Sequence, residues 1–109
     1  MMTFLCLAAV AVDGDTIRCA DRFDEVNGRV RIARIDAPER GEAGFAQATA
    51  AMTELIADRE VRCTIIDADP RESGFQERDR FDRPVARCSA DGVDIGEALV
   101  RGGFAGRWP

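Results

Sequence analysis

The sequence predicts a mainly β domain of the α+β class: a five-stranded barrel with one main helix and a short C-terminal helix. Three observations predict it. Several short stretches alternate apolar and polar residues and end at Asp-Gly or Asn-Gly turns. One long stretch, Phe45 to Ala57, carries helical spacing instead. A shorter one near the end opens on Asp94 with Glu97 three residues on, a helix-start signal.

Taken in order, Phe4 to Val12 is apolar and reads as a buried first strand ending at the tight Asp13-Gly14 turn. A signal peptide is the weaker reading, because no Lys or Arg precedes the run and it leads straight into Asp13-Gly14-Asp15. Thr16 to Cys19 is the return strand, and Asp24 to Gly28 a polar turn. Arg29 to Ile35 alternates, placing Arg31 on the face opposite Val30 and Ile32. Pro38 ends that strand. Phe45, Ala48, Met52, Leu55 and Ile56 give the helix one apolar face. Glu60 to Ile66 is a fourth strand and Val85 to Ser89 a fifth, closed by Asp91-Gly92. Between them Ala68 to Pro84 is a charged loop, long enough to be a candidate functional loop. Ala98, Leu99 and Val100 give the last helix its apolar contacts, and Gly102-Gly103 ends it. Three strands, a helix, two strands and a helix fit the OB arrangement, with the main helix plugging one end of the barrel.

At 109 residues the chain is one domain, 1–109, with one modest core. No apolar run approaches a membrane span, and a monomer is expected. There is no His, which excludes His-ligated zinc and a His general base. There is no Tyr, which excludes a covalent phosphotyrosine route. All 15 basic residues are Arg; codon bias explains this most simply, yet Arg is also the better bidentate phosphate ligand. The net charge of -5 argues against broad non-specific duplex binding. Any nucleic-acid contact is expected to be local and metal-assisted, with single-stranded DNA or RNA as the partner. Cys6, Cys19, Cys63 and Cys88 lack metal-knuckle spacing and read as small buried hydrophobes, with Cys19, Cys63 and Cys88 pointing inward. If two of them pair, Cys63 with Cys88 is the favoured choice, since both lie on late strands.

The chemistry sits in one cluster. Arg31 and Asp36-Ala37-Pro38-Glu39 follow the Asp13-Gly14-Asp15-Thr16 turn and are answered downstream by Arg83. Carboxylates for a hard divalent cation, a further carboxylate to handle water, and two guanidiniums for a phosphate are the parts of metal-dependent phosphodiester hydrolysis. Each residue alone has an ordinary explanation as a turn, a loop entry or a surface charge; the combination does not.

The chain resembles the staphylococcal nuclease (thermonuclease) family. The resemblance is carried by Val10-Ala11-Val12-Asp13-Gly14-Asp15-Thr16, by Val30 through Glu39, by Asp79-Arg80-Phe81-Asp82-Arg83 and by Gly96 through Gly103. It implies an OB-fold barrel that hydrolyses DNA and RNA with calcium and leaves 3'-phosphates. By resemblance Asp15 and Asp36 are the calcium carboxylates, and the main-chain oxygen of Ala37 completes the protein ligands. Arg31 and Arg83 hold the scissile phosphate and Glu39 is the catalytic glutamate. Arg80, Phe81 and Trp108 are candidate substrate contacts, although a lone terminal Trp108 also suits covering the barrel. Asp82 departs from the family pattern: it sets a carboxylate beside Arg83, and the sequence leaves open whether the two pair or face apart on the loop. The rival reading is a nuclease-like binding module that has lost useful turnover.

Overall fold

The first apolar run does not hold one direction. The computed structural model, which describes residues 2–20 and 28–109, places β1 at Thr3–Cys6 and β2 at Val10–Ala11. Ala8 between them takes a φ of 48°, a left-handed conformation that turns the chain. β2 pairs antiparallel with β3 (Thr16–Arg18) across the Asp13-Gly14 turn, as the hairpin signal requires. β1 pairs antiparallel with β6 (Val61–Ile65). The expected continuous buried strand is therefore corrected. Cys6 is buried, but Leu7 and Val10 are exposed where the chain changes neighbours.

β3 continues antiparallel to β4 (Arg29–Ile32), with Ile17 opposite Val30 and both fully buried. Of the polar turn expected over Asp24 to Gly28, all but Gly28 lies outside the described residues. Gly28 takes a φ of 73°, and its carbonyl accepts from the Cys19 N–H at 2.9 Å. The strand expected to run to Ile35 stops at Ile32. Arg34 has a φ of 65°, and the chain resumes as β5 (Ile35–Asp36), which pairs with β9 (Gly106–Arg107) at the far end of the chain.

Helix α1 (Phe45–Ile56) buries Ala48, Met52 and Ile56, the centre of its expected apolar face. β6 pairs antiparallel with β7 (Val85–Ala90), and β7 runs parallel to β4 through Arg31 opposite Val85. Asp91 and Gly92, both at positive φ, turn β7 into β8 (Val93–Asp94), as a two-residue hairpin demands. Asp94 caps α2 (Ile95–Arg101), its Oδ1 accepting from the Glu97 N–H at 2.9 Å. The Glu97 carboxylate takes two hydrogen bonds from Arg107, at 2.9 and 3.1 Å, tying β9 to α2. Gly103 at φ 78° ends the helix, with Phe104 N–H returning to the Leu99 carbonyl at 2.9 Å, the geometry of a Schellman cap.

The class is mainly β with two helices, as expected. The main sheet is mixed, in the order β1-β6-β7-β4-β3-β2. Its two end strands are successive pieces of one segment, so the path returns on itself through the turn at Ala8. Among the described residues no ladder joins β1 to β2 directly, so the expected barrel is not closed by hydrogen bonds there. Ile17, Val30, Ile32, Met52, Val61, Ile95 and Leu99 fill the interior, and α1 and α2 close over it.

The cysteines are not free thiols. Cys6 is bonded to Cys19 and Cys63 to Cys88, which corrects their reading as mere small hydrophobes and agrees with the favoured second pair. Cys63 and Cys88 are directly opposed across β6 and β7. Cys6 meets Cys19 because the turn at Ala8 folds β1 back, with Ala20 N–H bonded to the Leu7 carbonyl at 2.8 Å. All four sulfur-bearing side chains are buried. The bridges close segments of 13 and 25 residues, each stabilising the fold by about 3 kcal/mol through restriction of the unfolded chain. Thiol titration of the denatured, unreduced protein is accordingly expected to find no free thiol, and removing either bridge by paired Cys→Ser substitution to lower the melting temperature markedly.

Candidate active site

The β3–β4 ribbon is the floor of the site. Ile17 and Val30 point into the core, so Thr16 and Arg31, which are opposite each other in register, share the other face. The turn before β3 reaches the segment after β5. Gly14 is buried, and a Cβ built on it would lie 2.7 Å from the Ala37 Cβ and 2.8 Å from the Ala48 Cβ. Only glycine permits that approach. It brings the Asp15 Oδ2 to the Ala37 N–H at 3.0 Å, while the Asp15 carbonyl accepts from the Ile32 N–H at 2.8 Å.

Asp15 is the carboxyl of the floor whose hold on its proton the fold changes. Burial pushes it above the ordinary aspartate range, against the opposing pull of Arg31 and the Ala37 N–H; Asp13 adds to the rise. Arg31 approaches it at 3.5 Å and donates its Nη1 to the Ile32 carbonyl at 2.6 Å, so its guanidinium lies along the strand. Asp36 and Glu39 are exposed, and neither carboxylate has a partner among the described residues. The Glu39 N–H donates to the Glu42 Oε1 at 2.7 Å, which fixes the backbone there and leaves the side chain open.

The loop expected over Ala68 to Pro84 forms the facing wall. Its base is closed by Ala68 N–H to the Gln76 carbonyl at 2.7 Å and Gln76 N–H to the Asp67 Oδ1 at 3.1 Å. Asp79 organises the rest. Its Oδ1 accepts from the Phe81 and Arg83 N–H groups at 3.0 and 2.9 Å. Its Oδ2 takes the Arg83 Nε at 2.8 Å and Nη2 at 2.7 Å. Arg83 Nη1 donates across the cleft to the Thr16 Oγ1 at 3.0 Å. The question left open for Asp82 is thus answered: Arg83 is held by Asp79 instead. Asp82 has a φ of 64° and faces Arg78, whose Nη1 donates to the Asp82 carbonyl at 2.7 Å. In a turn this tight, neighbouring side chains diverge, and the residue four positions earlier is the one that meets Arg83. Sequence reasoning met Asp79 and Thr16 only as members of motifs and gave neither a role. The available signal for Asp79 was an Asp opening a polar turn, a common side chain-to-backbone turn pattern; Thr16 carried none.

Phe81 is 59% exposed, with the Arg80 and Arg83 guanidiniums over its ring at 5.0 and 5.3 Å. Trp108 is half-buried. Its backbone N–H donates to the Arg34 carbonyl at 2.9 Å, and Arg71, itself held by Asp69 at 2.9 Å, stacks on its ring at 4.8 Å. Arg71 and Asp69 are further cleft residues that no sequence motif singled out. The structure brings Asp15, Arg31, Asp36, Ala37, Glu39, Arg80, Phe81, Arg83 and Trp108 together on a single cleft of about 1010 Å³. Among the described residues seven arginines line it, interleaved with seven carboxylates.

A cleft that sets two oriented guanidiniums against carboxylates and a hydroxyl is of the phosphate-handling kind. Residues 29–108 match the family described as staphylococcal nuclease homologue, and the chain belongs to that family. Over 95 residues it is 33% identical to a protein named "Uncharacterized endonuclease" from Escherichia coli O157:H7 and to one of the same name from Escherichia coli. Those alignments cover 86% of this chain and 54% of each relative, so the chain spans about half the length of the curated relatives it matches.

Three outcomes test this geometry. Gly14→Ala is expected to cost about 1–3 kcal/mol of stability, read by denaturant unfolding, because neither Cβ it would strike belongs to a flexible side chain. Asp79→Asn is expected to loosen Arg83 and so to slow the nucleic-acid cleavage proposed below roughly 10- to 100-fold. Asp82→Gly is expected to leave the rate near that of the parent and to gain about 1 kcal/mol by relieving the left-handed backbone.

Proposed function

We propose that this protein is a calcium-dependent nuclease that hydrolyses phosphodiester bonds in single-stranded or frayed DNA or RNA, acting as a monomer. The observation that carries the reading is the meeting of Arg31 and Arg83 with Asp15, Asp36, Ala37 and Glu39 on one cleft. Family membership supports the hydrolytic class. No helix among the described residues is long and apolar enough to cross a membrane.

The donor chemistry fits a hard cation. Among the described residues no three carboxylate, thiol or imidazole side chains cluster as a metal cage. Asp15 and Asp36 with the Ala37 carbonyl would therefore hold calcium sparingly, water filling the remaining positions, as calcium tolerates. Asp15, buried and pushed up, is a carboxylate whose charge a cation would stabilise. Bound there, the ion would supply Lewis acidity toward a phosphoryl oxygen and acidify a water.

The chain's own residues do the rest. Arg31 and Arg83 grip the non-bridging oxygens of the scissile phosphate and offset the charge that grows on them as water attacks. Arg83 enters this role already oriented by Asp79 and Thr16, so little ordering remains to be done on binding. Glu39, with its carboxylate open to the cleft, accepts a proton from the attacking water as the new P–O bond forms. The opposite P–O bond breaks, and its electron pair leaves with the 5' oxygen of the sugar, giving a 3'-phosphate. Phe81 offers an exposed ring on which a base or sugar stacks.

Incubating the protein with single-stranded DNA and RNA, in calcium and in excess chelator, tests the proposal. Cleavage is expected in calcium alone and to fall at least about a hundredfold in Glu39→Gln, with the fold unchanged. Equal cleavage in chelator would sink the calcium role, and a wild-type rate in Glu39→Gln the role of that carboxylate.

A further inference from the structure

The nuclease reading uses Thr16 and Arg31 on the β3–β4 ribbon and leaves the outer part of the same face unexplained. Opposed residues of an antiparallel pair share a face, as do residues two apart on one strand. Arg18 stands directly opposite Arg29, one such step out from the Thr16–Arg31 pair. Two like charges in that register repel. Both side chains are exposed, and neither makes an ion pair or hydrogen bond among the described residues. Among the arginines deeper in the cleft, Arg31, Arg71 and Arg83 are restrained by hydrogen bonds. Arg29 itself lines the cleft, so the arginine pair is continuous with the site.

Two exposed arginines opposed beside a phosphate site, with no carboxylate partner among the described residues, suit an anion. A step of two residues along a strand is about 6.7 Å, comparable with the spacing of neighbouring phosphates in an extended single strand. We propose that Arg18 and Arg29 form a phosphate track for the nucleic-acid strand leading away from the scissile bond. The inference rests on the nuclease reading and adds to it a binding surface outside the catalytic cluster. The occupant is the sugar–phosphate backbone of a single strand several nucleotides long, held without regard to base sequence.

The test measures binding apart from turnover. Fluorescent oligodeoxythymidylates of two and eight nucleotides are titrated by anisotropy against the Glu39→Gln protein in calcium, from about 50 to about 200 mM salt. Adding Arg18→Gln and Arg29→Gln removes two phosphate contacts. The slope of log affinity against log salt for the octamer is then expected to become less negative by about 1.4, so that the parent loses about sevenfold more affinity than the variant over that range. The dinucleotide, too short to reach the track, is expected to keep its slope. The melting temperature of the free variant is expected to hold or rise, because an unfavourable charge pair is gone. Arg62→Gln with Arg87→Gln, on β6 and β7 away from the cleft, removes the same net charge and is expected to leave the slope alone. An octamer slope unchanged by the Arg18 and Arg29 substitutions overturns the track. An equal shift in the Arg62 and Arg87 variant overturns it too, by assigning the effect to net charge. No octamer binding by the parent under any of these conditions overturns the nuclease reading itself.

Discussion

The site depends on one close contact, that of Gly14 with Ala37 and Ala48. A hairpin turn, the segment after β5 and the first helix meet there with no room for a Cβ on the turn. From that contact the rest of the floor follows. Asp15 reaches the Ala37 N–H, its carbonyl completes β4 through Ile32, and Thr16 is left facing the cleft where it receives Arg83. Three parts of the chain far apart in sequence are thereby set to within hydrogen-bonding distance. The contact is apolar and steric, while everything it positions is polar. Core packing thus sets the geometry on which the chemistry relies.

The second organising element is charge held in place. The protein is acidic overall, yet among the described residues seven arginines line one cleft. Carboxylate neighbours hold the guanidiniums of Arg31, Arg71 and Arg83 in place. Arg83 shows how this works. Asp79 grips it through two nitrogens while also shaping the backbone turn that carries it, so the same carboxylate builds the loop and aims the side chain. An arginine held this way gives up part of its hydrogen-bonding capacity in exchange for a fixed direction.

The scaffold beneath is small and accordingly cross-linked. A domain of this size buries a limited fraction of its surface. The two bridges join β1 to the end of β3 and β6 to β7. The first encloses the hairpin that carries Asp15. Restriction of the unfolded chain and rigidity of the site's floor therefore come from the same bond. Such bridges persist in oxidising surroundings, which is the setting in which this fold has its full stability.

Much of this was legible in the sequence. Alternation placed Arg31 opposite Val30 and Ile32, helical spacing placed Ala48, Met52 and Ile56 in the core, and Asp94 with Glu97 marked the start of the last helix, because each is a local rule of periodicity or capping. The chemistry-bearing residues were legible as types and in order. What the sequence could not determine were the outcomes of encounters between distant segments. Ala8 and Arg34 turn the chain at residues with no turn signature, since their left-handed conformations are imposed by the strands they feed. Asp79 rather than Asp82 meets Arg83 because a tight loop sends adjacent side chains apart. Cys6 finds Cys19 only once β1 folds back. Gly14 was readable as a turn residue, but its need to be glycine comes from Ala37 and Ala48 pressing on it. Local propensity is written in neighbouring residues; steric fit and long-range pairing exist only when the whole chain is folded.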